Sequence, residues 1–169
     1  TREEIDPVRF ISNRSSGKMG FALAAAAQQR GANVIAIAGS TTAPPPSGIN
    51  IVRVTTADEM ARAVANELER ATVFIGAAAV ADYRPSKRAD QKIKKHNESL
   101  TIELERTPDI LSQVTATLKP GTLVVGFAAE SENLIQNAQL KLQTKNLDAI
   151  VANDITQSGA GFDSDTNAI

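Results

Sequence analysis

Four short segments carry residue types that could do chemistry, and each falls at a predicted strand end or helix start. They span residues 11–20, 76–83, 92–95 and 107–111. Free N–H groups at a helix start bind anions, and glycine or alanine at a strand end lets a flat ring approach the backbone. Lysine ammonium groups neutralise phosphates. Together the four segments favour a site for a phosphorylated ligand such as a nucleotide.

The first segment predicts a helix start with an anion site. Ser15 and Ser16 suit a helix N-cap, which leaves free N–H groups beneath them. The segment resembles a Walker A loop only superficially, because Met19 stands where that motif requires Ser or Thr. The alternative involves no ligand: a capped helix that uses Gly17 for close packing.

The second segment ends a predicted buried strand with small residues. Gly76, Ala77 and Ala78 would let a base or a sugar approach the backbone. Asp82, just beyond them, is placed to meet a ribose hydroxyl or a metal–phosphate group. The alternative is a strand that ends in a solvated aspartate, which is a common surface arrangement.

Positive charge is concentrated in two places. Lys92, Lys94 and Lys95 lie in a predicted loop on the ligand side, where flexible ammonium groups suit a polyphosphate. Lys141 and Lys145 are one helical turn apart, so they share a face and repel each other unless an anion lies nearby. In both places an ordinary solvated surface is the alternative.

Two further features complete the candidate site. Thr107 is predicted to cap a helix with Pro108 at its first position, which is the favoured place for proline. The exposed amides there could face a ligand, although capping alone explains the pattern. Phe127 ends a predicted buried strand and is the kind of aromatic side chain that can cover a base.

Composition limits the class of protein. The chain has 169 residues, 42% hydrophobic and 4% aromatic, so we expect one domain with a core of Ala, Val, Ile and Leu. Its 18 Lys and Arg nearly balance 19 Asp and Glu, so no overall field attracts nucleic acid or a membrane. The lack of cysteine excludes disulfides and thiolate sites, and the single histidine argues against a histidine metal cluster. Without a signal peptide or an apolar run of about 20 residues, a cytoplasmic protein is expected.

Strands and helices are predicted to alternate along the chain. The predicted strands span residues 33–38, 51–54, 72–79, 100–104, 122–128 and 149–152. The predicted helices span residues 16–30 and 133–144, with two more that start at a capping box on Thr56 and at Thr107. This order predicts an α/β fold, a Rossmann-like doubly wound and mostly parallel sheet with helices on both faces. Ligands of such sheets bind beyond the carboxyl ends of the strands, where the four segments fall.

Taken together, the motifs closely resemble the family of CTP-dependent phosphopantothenate–cysteine ligases. The matching segments run in order over essentially the whole chain. They are residues 6–13, 15–20, 78–83, 92–95, 108–110, 126–130 and 152–154. The resemblance implies a single nucleotide-binding ligase domain over residues 1–169 that lacks the family's first strand and closing strands.

The resemblance also implies a reaction in two steps. The carboxylate of 4′-phosphopantothenate attacks the α-phosphate of CTP, which gives an acyl-cytidylate and pyrophosphate. The amine of L-cysteine then attacks the acyl carbon and releases CMP. By the same resemblance we expect Mg²⁺, a homodimer and a fused or partner phosphopantothenoylcysteine decarboxylase, with neither nucleic acid nor membrane as a partner.

Residue roles follow from the same resemblance. Lys92 would stabilise the triphosphate during cytidylylation, Asn13 would hold the acyl-cytidylate, and Arg9 would contact the substrate phosphate. Asp82 would bind near the ribose or the cation. The residues implied for the nucleotide pocket are Gly76, Ala77, Ala78, Asp82, Lys92, Pro108, Asp109, Ile110, Leu111, Phe127, Lys141 and Lys145.

Two rival functions remain open on the sequence. A NAD(P)-dependent oxidoreductase would suit a Rossmann-like fold, but no Gly-x-Gly-x-x-Gly turn follows a strand. Tyr83 and Lys87 have the spacing of a Tyr-x-x-x-Lys pair, yet Pro85 between them argues against the helix that such a pair needs. A non-catalytic nucleotide-binding module would keep the pocket but would not need Lys92 and Asn13.

Overall fold

The computed structural model describes residues 1–94, 99–130, 132–154, 156 and 166. In this part of the chain nine strands and four helices follow one another. The strands are β1 (Arg2–Glu4), β2 (Phe10–Ser12), β3 (Ile35–Ala38), β4 (Asn50–Arg53), β5 (Val73–Gly76), β6 (Tyr83–Pro85), β7 (Leu104–Arg106), β8 (Leu123–Glu130) and β9 (Ala149–Asp154). The helices are α1 (Lys18–Gln29), α2 (Ala57–Leu68), α3 (Ile110–Thr117) and α4 (Leu134–Thr144).

Parallel strands dominate the sheet structure, as the sequence predicts. β5, β8 and β9 form a three-stranded parallel sheet with β8 in the centre, and β3 pairs with β4 in parallel. The alternation of these strands with helices confirms the Rossmann-like α/β class. Two antiparallel pairs, β1–β2 and β6–β7, were not predicted. β6 lies within residues 81–99, which the sequence predicts to be a polar loop.

The core lies between α2, α3 and the central strand β8. A capping box starts α2, in which the Thr56 side chain accepts from the Glu59 N–H while the Glu59 carboxylate accepts from the Thr56 N–H. The buried face of α2 packs against Val114 of α3 and Val124 of β8, and both valines are almost completely buried. Each such aliphatic side chain contributes roughly 1.5–3 kcal/mol when fully buried. This packing fixes the start of α3 beside the carboxyl end of the sheet.

The N-cap of α1 is Gly17, one residue after the predicted Ser16, although the Ser16 hydroxyl accepts from the Lys18 N–H at 3.4 Å. The helix starts after Gly17, which has a φ of 83° and makes no side-chain cap bond. A Cβ on Gly17 would lie 2.5 Å from Cγ2 of Thr41, so the segment after β3 approaches this turn too closely for any side chain. Ser16 is buried, and its carbonyl accepts from the N–H groups of Thr42 and Ala43. Tertiary contact therefore displaces the cap by one residue from the position that local preference indicates.

The start of α3 also differs from the prediction. Asp109, rather than Thr107, is the N-cap, and its carboxylate accepts from the Ser112 N–H at 3.0 Å. Thr107 instead donates through Oγ1 to the Ala81 carbonyl at 2.6 Å. Because that hydroxyl is used in a contact 26 residues away, the helix starts two residues later and Pro108 precedes its cap.

The strand predicted over residues 100–104 lies slightly later in the chain, as β7 (Leu104–Arg106).

Three smaller outcomes concern the remaining predictions. Tyr83 and Pro85 lie in β6, so the helix that a Tyr-x-x-x-Lys pair requires does not form there. Among the described residues, no helix has the length and apolar character to cross a membrane. Lys95, His96 and residues 167–169 lie outside the described residues.

Candidate functional site

The carboxyl ends of β5 and β8 form the floor of the candidate site. Gly76 at the end of β5 is paired in register with Gly126 of β8. A Cβ on Gly76 would lie 3.0 Å from Cδ2 of Leu111, so the glycine gives α3 room to pack on the strand end. The small residue predicted to admit a base thus also brings Leu111, another predicted pocket residue, to the sheet edge.

Asn13 directly follows β2, and its side chain contacts the loop that follows β5. Its side-chain Nδ2 donates to the Val80 carbonyl at 2.9 Å across 67 residues of sequence. Asn13 and Ala78 are both exposed, and Ala77 is half-buried. A predicted catalytic side chain therefore adjoins the segment that was predicted to bind a nucleotide.

Two hydrogen bonds clamp the Asp82 region to the start of α3. The Thr107 N–H donates to the Asp82 carbonyl at 3.0 Å, and the Thr107 hydroxyl donates to the Ala81 carbonyl. The Asp82 side chain itself is exposed. The clamp brings the Asp82 segment and the Pro108–Asp109 segment together at one edge of the sheet.

Lys141 of α4 points its ammonium group into this edge. Its Nζ donates to the Phe127 carbonyl of β8 at 2.7 Å. Burial lowers the pKa of Lys141, against the opposing effect of the Glu130 and Asp82 carboxylates. A cation that has lost part of its water in this way interacts more strongly with an incoming anion than a solvated lysine does.

Lys145 is already engaged by an anion of the protein. Its ammonium forms an ion pair with Asp109 and donates to the Ser112 hydroxyl at 3.1 Å. Burial raises the pKa of Asp109, but the hydrogen bonds from Lys145 and Ser112 outweigh it, and the pKa lies below its ordinary value. Asp109 is therefore the anion that relieves the repulsion between Lys145 and Lys141.

A second group of contacts is centred on Arg9 and lies next to Lys92. Its residues come from other segments of the sequence than the ends of β5 and β8. The Arg9 guanidinium donates through Nε to Asp6 at 3.0 Å and through Nη2 to the Ile93 carbonyl at 2.8 Å. Lys92, next to Ile93, is exposed. Asp6, which is 1% exposed, was not predicted as a functional residue. The spacing Asp6-Pro7-Val8-Arg9 in a turn is the one signal that could have indicated it.

The residues of the candidate site thus form two groups, and the second includes Asp6 and Ile93, which were not predicted. The strand-end cluster comprises Gly76, Asp82, Asp109, Leu111, Phe127, Lys141 and Lys145, with Asn13 on its rim. The hairpin group comprises Asp6, Arg9 and the backbone of Ile93, beside Lys92. Strand β2 connects the two groups, because the four steps along the chain from Arg9 to Asn13 cover about 13 Å when extended.

The donor set limits the metal chemistry of the site. Among the described residues, no three His, Asp or Glu side chains come together as a cage for a metal ion. Asp82 supplies one exposed carboxylate, and Asp109 is already paired with Lys145, whereas Mg²⁺ bound by few carboxylates takes its other ligands from water and substrate phosphates. These residues do not fit a resident Mg²⁺ site, although they suit a metal that arrives bound to phosphates.

Comparison with known proteins agrees with this architecture. Residues 1–169 match the family described as the DNA/pantothenate metabolism flavoprotein C-terminal domain. The coenzyme A biosynthesis bifunctional protein CoaBC of Vibrio cholerae is 50% identical over 171 residues, which is 100% of this chain and 43% of that protein. The chain therefore spans less than half the length of this relative.

Solved structures of related proteins have a similar fold. The C-terminal domain of a coenzyme A biosynthesis bifunctional protein CoaBC superposes with a TM-score of 0.79 at 45% identity, covering 91% of this chain and 72% of that one. The DNA/pantothenate metabolism flavoprotein from Streptococcus pneumoniae shares the fold, with a TM-score of 0.83 at 24% identity over 99% of this chain and 87% of that one. The chain belongs to the DNA/pantothenate metabolism flavoprotein C-terminal domain family.

Proposed function

We propose that this chain is the ligase domain that joins 4′-phosphopantothenate to L-cysteine at the expense of CTP. The carboxylate of the acid attacks the α-phosphorus of CTP, and the bond to pyrophosphate breaks. The cysteine amine then attacks the acyl carbon of the acyl-cytidylate, loses a proton and expels CMP. The product is 4′-phosphopantothenoylcysteine, an intermediate of coenzyme A biosynthesis.

One observation carries the proposal: basic and neutral donor groups meet at the carboxyl edge of a parallel sheet. Lys141 is partly buried there with its ammonium against the Phe127 carbonyl, and the Asn13 amide is bonded to the adjoining loop. Open α/β sheets bind ligands at this edge. Partly desolvated ammonium groups favour the polyphosphate of a nucleoside triphosphate over a neutral ligand.

Each side chain has a distinct task in the proposed reaction. Lys92 neutralises charge that develops on the leaving pyrophosphate, and Asn13 donates its neutral amide to the acyl-cytidylate. Gly76 to Ala78, Asp82, Pro108 to Leu111, Phe127, Lys141 and Lys145 line the cytidine nucleotide. We treat Mg²⁺ as part of the CTP substrate, because the described side chains do not form a metal cage.

The setting of the reaction is part of the proposal. We infer a cytoplasmic homodimer in which a phosphopantothenoylcysteine decarboxylase is fused or associated. The bifunctional relatives support the association, since this chain covers only 43% of the length of the Vibrio cholerae protein. Consecutive activities in one assembly would pass the cysteine conjugate directly to decarboxylation.

Pyrophosphate release tests the proposal. The intact protein is incubated with Mg²⁺–CTP and 4′-phosphopantothenate, with cysteine withheld, and pyrophosphate is measured. Release that requires the acid supports the ligase. CTP binding without release favours a nucleotide-binding module, and tight NADPH binding in its place favours an oxidoreductase.

The Lys92→Gln variant tests the residue assignment within that assay. Loss of an ammonium from the reacting phosphates should slow pyrophosphate release by about 100- to 1,000-fold. Lys87→Gln is the matched control, because Lys87 is also an exposed lysine and lies five residues earlier in the chain. A normal rate in Lys92→Gln would remove Lys92 from the first step.

A further inference from the structure

The turn between β1 and β2 holds both backbone polar atoms of Ile93. The Ile93 N–H donates to Oδ2 of Asp6 at 3.1 Å, and the Ile93 carbonyl accepts from Nη2 of Arg9 at 2.8 Å. These contacts join positions 87 and 84 residues apart. Two such hydrogen bonds fix the orientation of the Ile93 backbone as well as its position.

Asp6 organises these contacts from a buried position. Its Oδ1 accepts from the N–H groups of Val8 and Arg9 at 2.8 and 2.9 Å, while Oδ2 accepts from the Arg9 guanidinium and from Ile93. The side chain of Asp6 is fully buried, and that of Arg9 is 39% exposed. A buried carboxylate with a cationic partner and three N–H donors is fully satisfied, and it resists rearrangement because any lost partner leaves a desolvated charge.

The same hairpin holds the segment before Ile93. The Ala89 N–H donates to the Ile5 carbonyl at 2.9 Å, and Arg88 forms an ion pair with Glu4 of β1. Residues 88 and 89 are thus attached on one side of Lys92, and Ile93 is attached on the other. Lys92 itself stays exposed between the two attachments.

We propose that Asp6 and Arg9 are positioning residues, whose grip on Ile93 aims the Lys92 ammonium at the triphosphate. This inference rests on the proposed function. Arg9 then acts through Lys92 in the first step, in contrast to the direct contact with a substrate phosphate that the family resemblance implies. A phosphate that took the Nε and Nη2 donors of Arg9 from Asp6 would leave the buried carboxylate without its cation.

The test uses Asp6→Asn in the intact protein. The variant keeps the size of the side chain but loses the charge that holds Arg9. We expect kcat for pyrophosphate release to fall about 100-fold, the scale of a misplacement of about 1 Å, with a much smaller change in KM for CTP. Asp90→Asn removes an exposed carboxylate from the same segment and should leave kcat unchanged.

A double-mutant cycle separates positioning from a general loss of structure. If Asp6 acts through Lys92, then Asp6→Asn should add little to the defect of Lys92→Gln. A further 100-fold fall in the double variant would overturn the proposal, because Asp6 would then act independently of Lys92. Arg9→Lys is the second variant: it keeps the charge but lacks the fork that reaches both Asp6 and Ile93, so it should show the same pattern.

Hydrogen exchange gives a readout that does not depend on activity. The Ile93 amide should be protected in the wild type and should exchange faster in Asp6→Asn, while amides of β8 keep their protection. Faster exchange with an unchanged kcat would overturn the positioning role. A Lys92→Gln variant with normal pyrophosphate release would instead refute the proposed role of Lys92, so the two failures can be told apart.

Discussion

The strand-end cluster and the hairpin group each contain a carboxylate–cation pair, but the two pairs differ in burial. The side chains of Asp109 and Lys145 are 50% and 28% exposed, whereas that of Asp6 is fully buried. An exposed pair contributes little to stability, about 0–1 kcal/mol, and a polyanion can replace its carboxylate readily. A buried carboxylate cannot give up its partner without a large desolvation cost. Lys145 is therefore suited to switch from Asp109 to a ligand, and Arg9 is suited to stay in place.

The difference assigns separate tasks to the two regions. The strand-end cluster stands on α3, α4 and the ends of β5 and β8, so its side chains can exchange partners on a fixed frame. The hairpin group holds a loop through backbone atoms, so its contacts set where that loop runs. By this comparison the strand-end cluster binds the nucleotide, and the hairpin group positions the loop that carries Lys92.

Asn13 tests whether the two regions act on one reaction. It follows β2, which leads out of the hairpin, and its amide is bonded to the strand-end loop. In Asn13→Asp a carboxylate would face the Val80 carbonyl and repel it, and the same charge would repel the acyl-cytidylate. We expect pyrophosphate release to continue while cysteine transfer slows by about 100-fold.

Single-turnover assays with labelled CTP would measure this effect. The acyl-cytidylate should accumulate in Asn13→Asp and not in the wild type. An equal fall in the rates of both steps would show that Asn13 supports the strand-end cluster as a whole and has no specific role in the second step.

Acid stability sharpens the contrast between the two carboxylates. The Arg9 side chain holds the pKa of Asp6 well below its ordinary value of 3.8, with the Ile93, Val8 and Arg9 N–H groups adding to the effect and burial opposing it. Because the pKa is lowered on folding, the stabilisation is complete above the ordinary pKa and is lost as the pH falls toward the folded value.

Urea unfolding of wild type and Asp6→Asn at several pH values measures this linkage. The free energy of unfolding should differ between them at pH 7, and the difference should narrow as the pH falls below about 4. Asp90→Asn should follow the wild-type curve. A gap that stays constant down to pH 2 would mean that the charge of Asp6 contributes nothing to folding.

The sequence predicts local features well where the signal is local. The capping box at Thr56 located the start of α2 correctly, because it depends on neighbours within one turn. The apolar runs that became β5 and β8 were also predicted. The rule for parallel sheets placed the ends of the strands before Asp82 and at Phe127 at one edge, whereas only the family resemblance placed Lys141 there.

What escaped prediction depends on contacts between distant segments. Asp6 bonds to the backbone of Ile93, 87 residues away, and backbone atoms carry no sequence signal. The start of α1 moved because Thr41 packs on Gly17, and the start of α3 moved because Thr107 bonds to Ala81. In each case a tertiary partner took the place of a local preference.

The smallest expected effect is a change in CTP affinity on Asp109→Asn, and the direction of that change distinguishes the two regions. Asp109→Asn keeps a good N-cap for α3 but removes the charge that competes for Lys145. CTP affinity should rise by about 3-fold at low salt and return toward wild type as salt screens the site. Titration calorimetry at two ionic strengths measures this change, with Glu69→Gln as the control, because Glu69 at the C-terminal end of α2 forms an exposed pair with Lys119. The same substitution at Asp6 should impair the enzyme, because that carboxylate aims a loop and does not compete with a ligand. If Asp109→Asn instead weakens CTP binding, the pair with Lys145 is part of the binding frame, and the division between an exchangeable pair and a fixed one is lost.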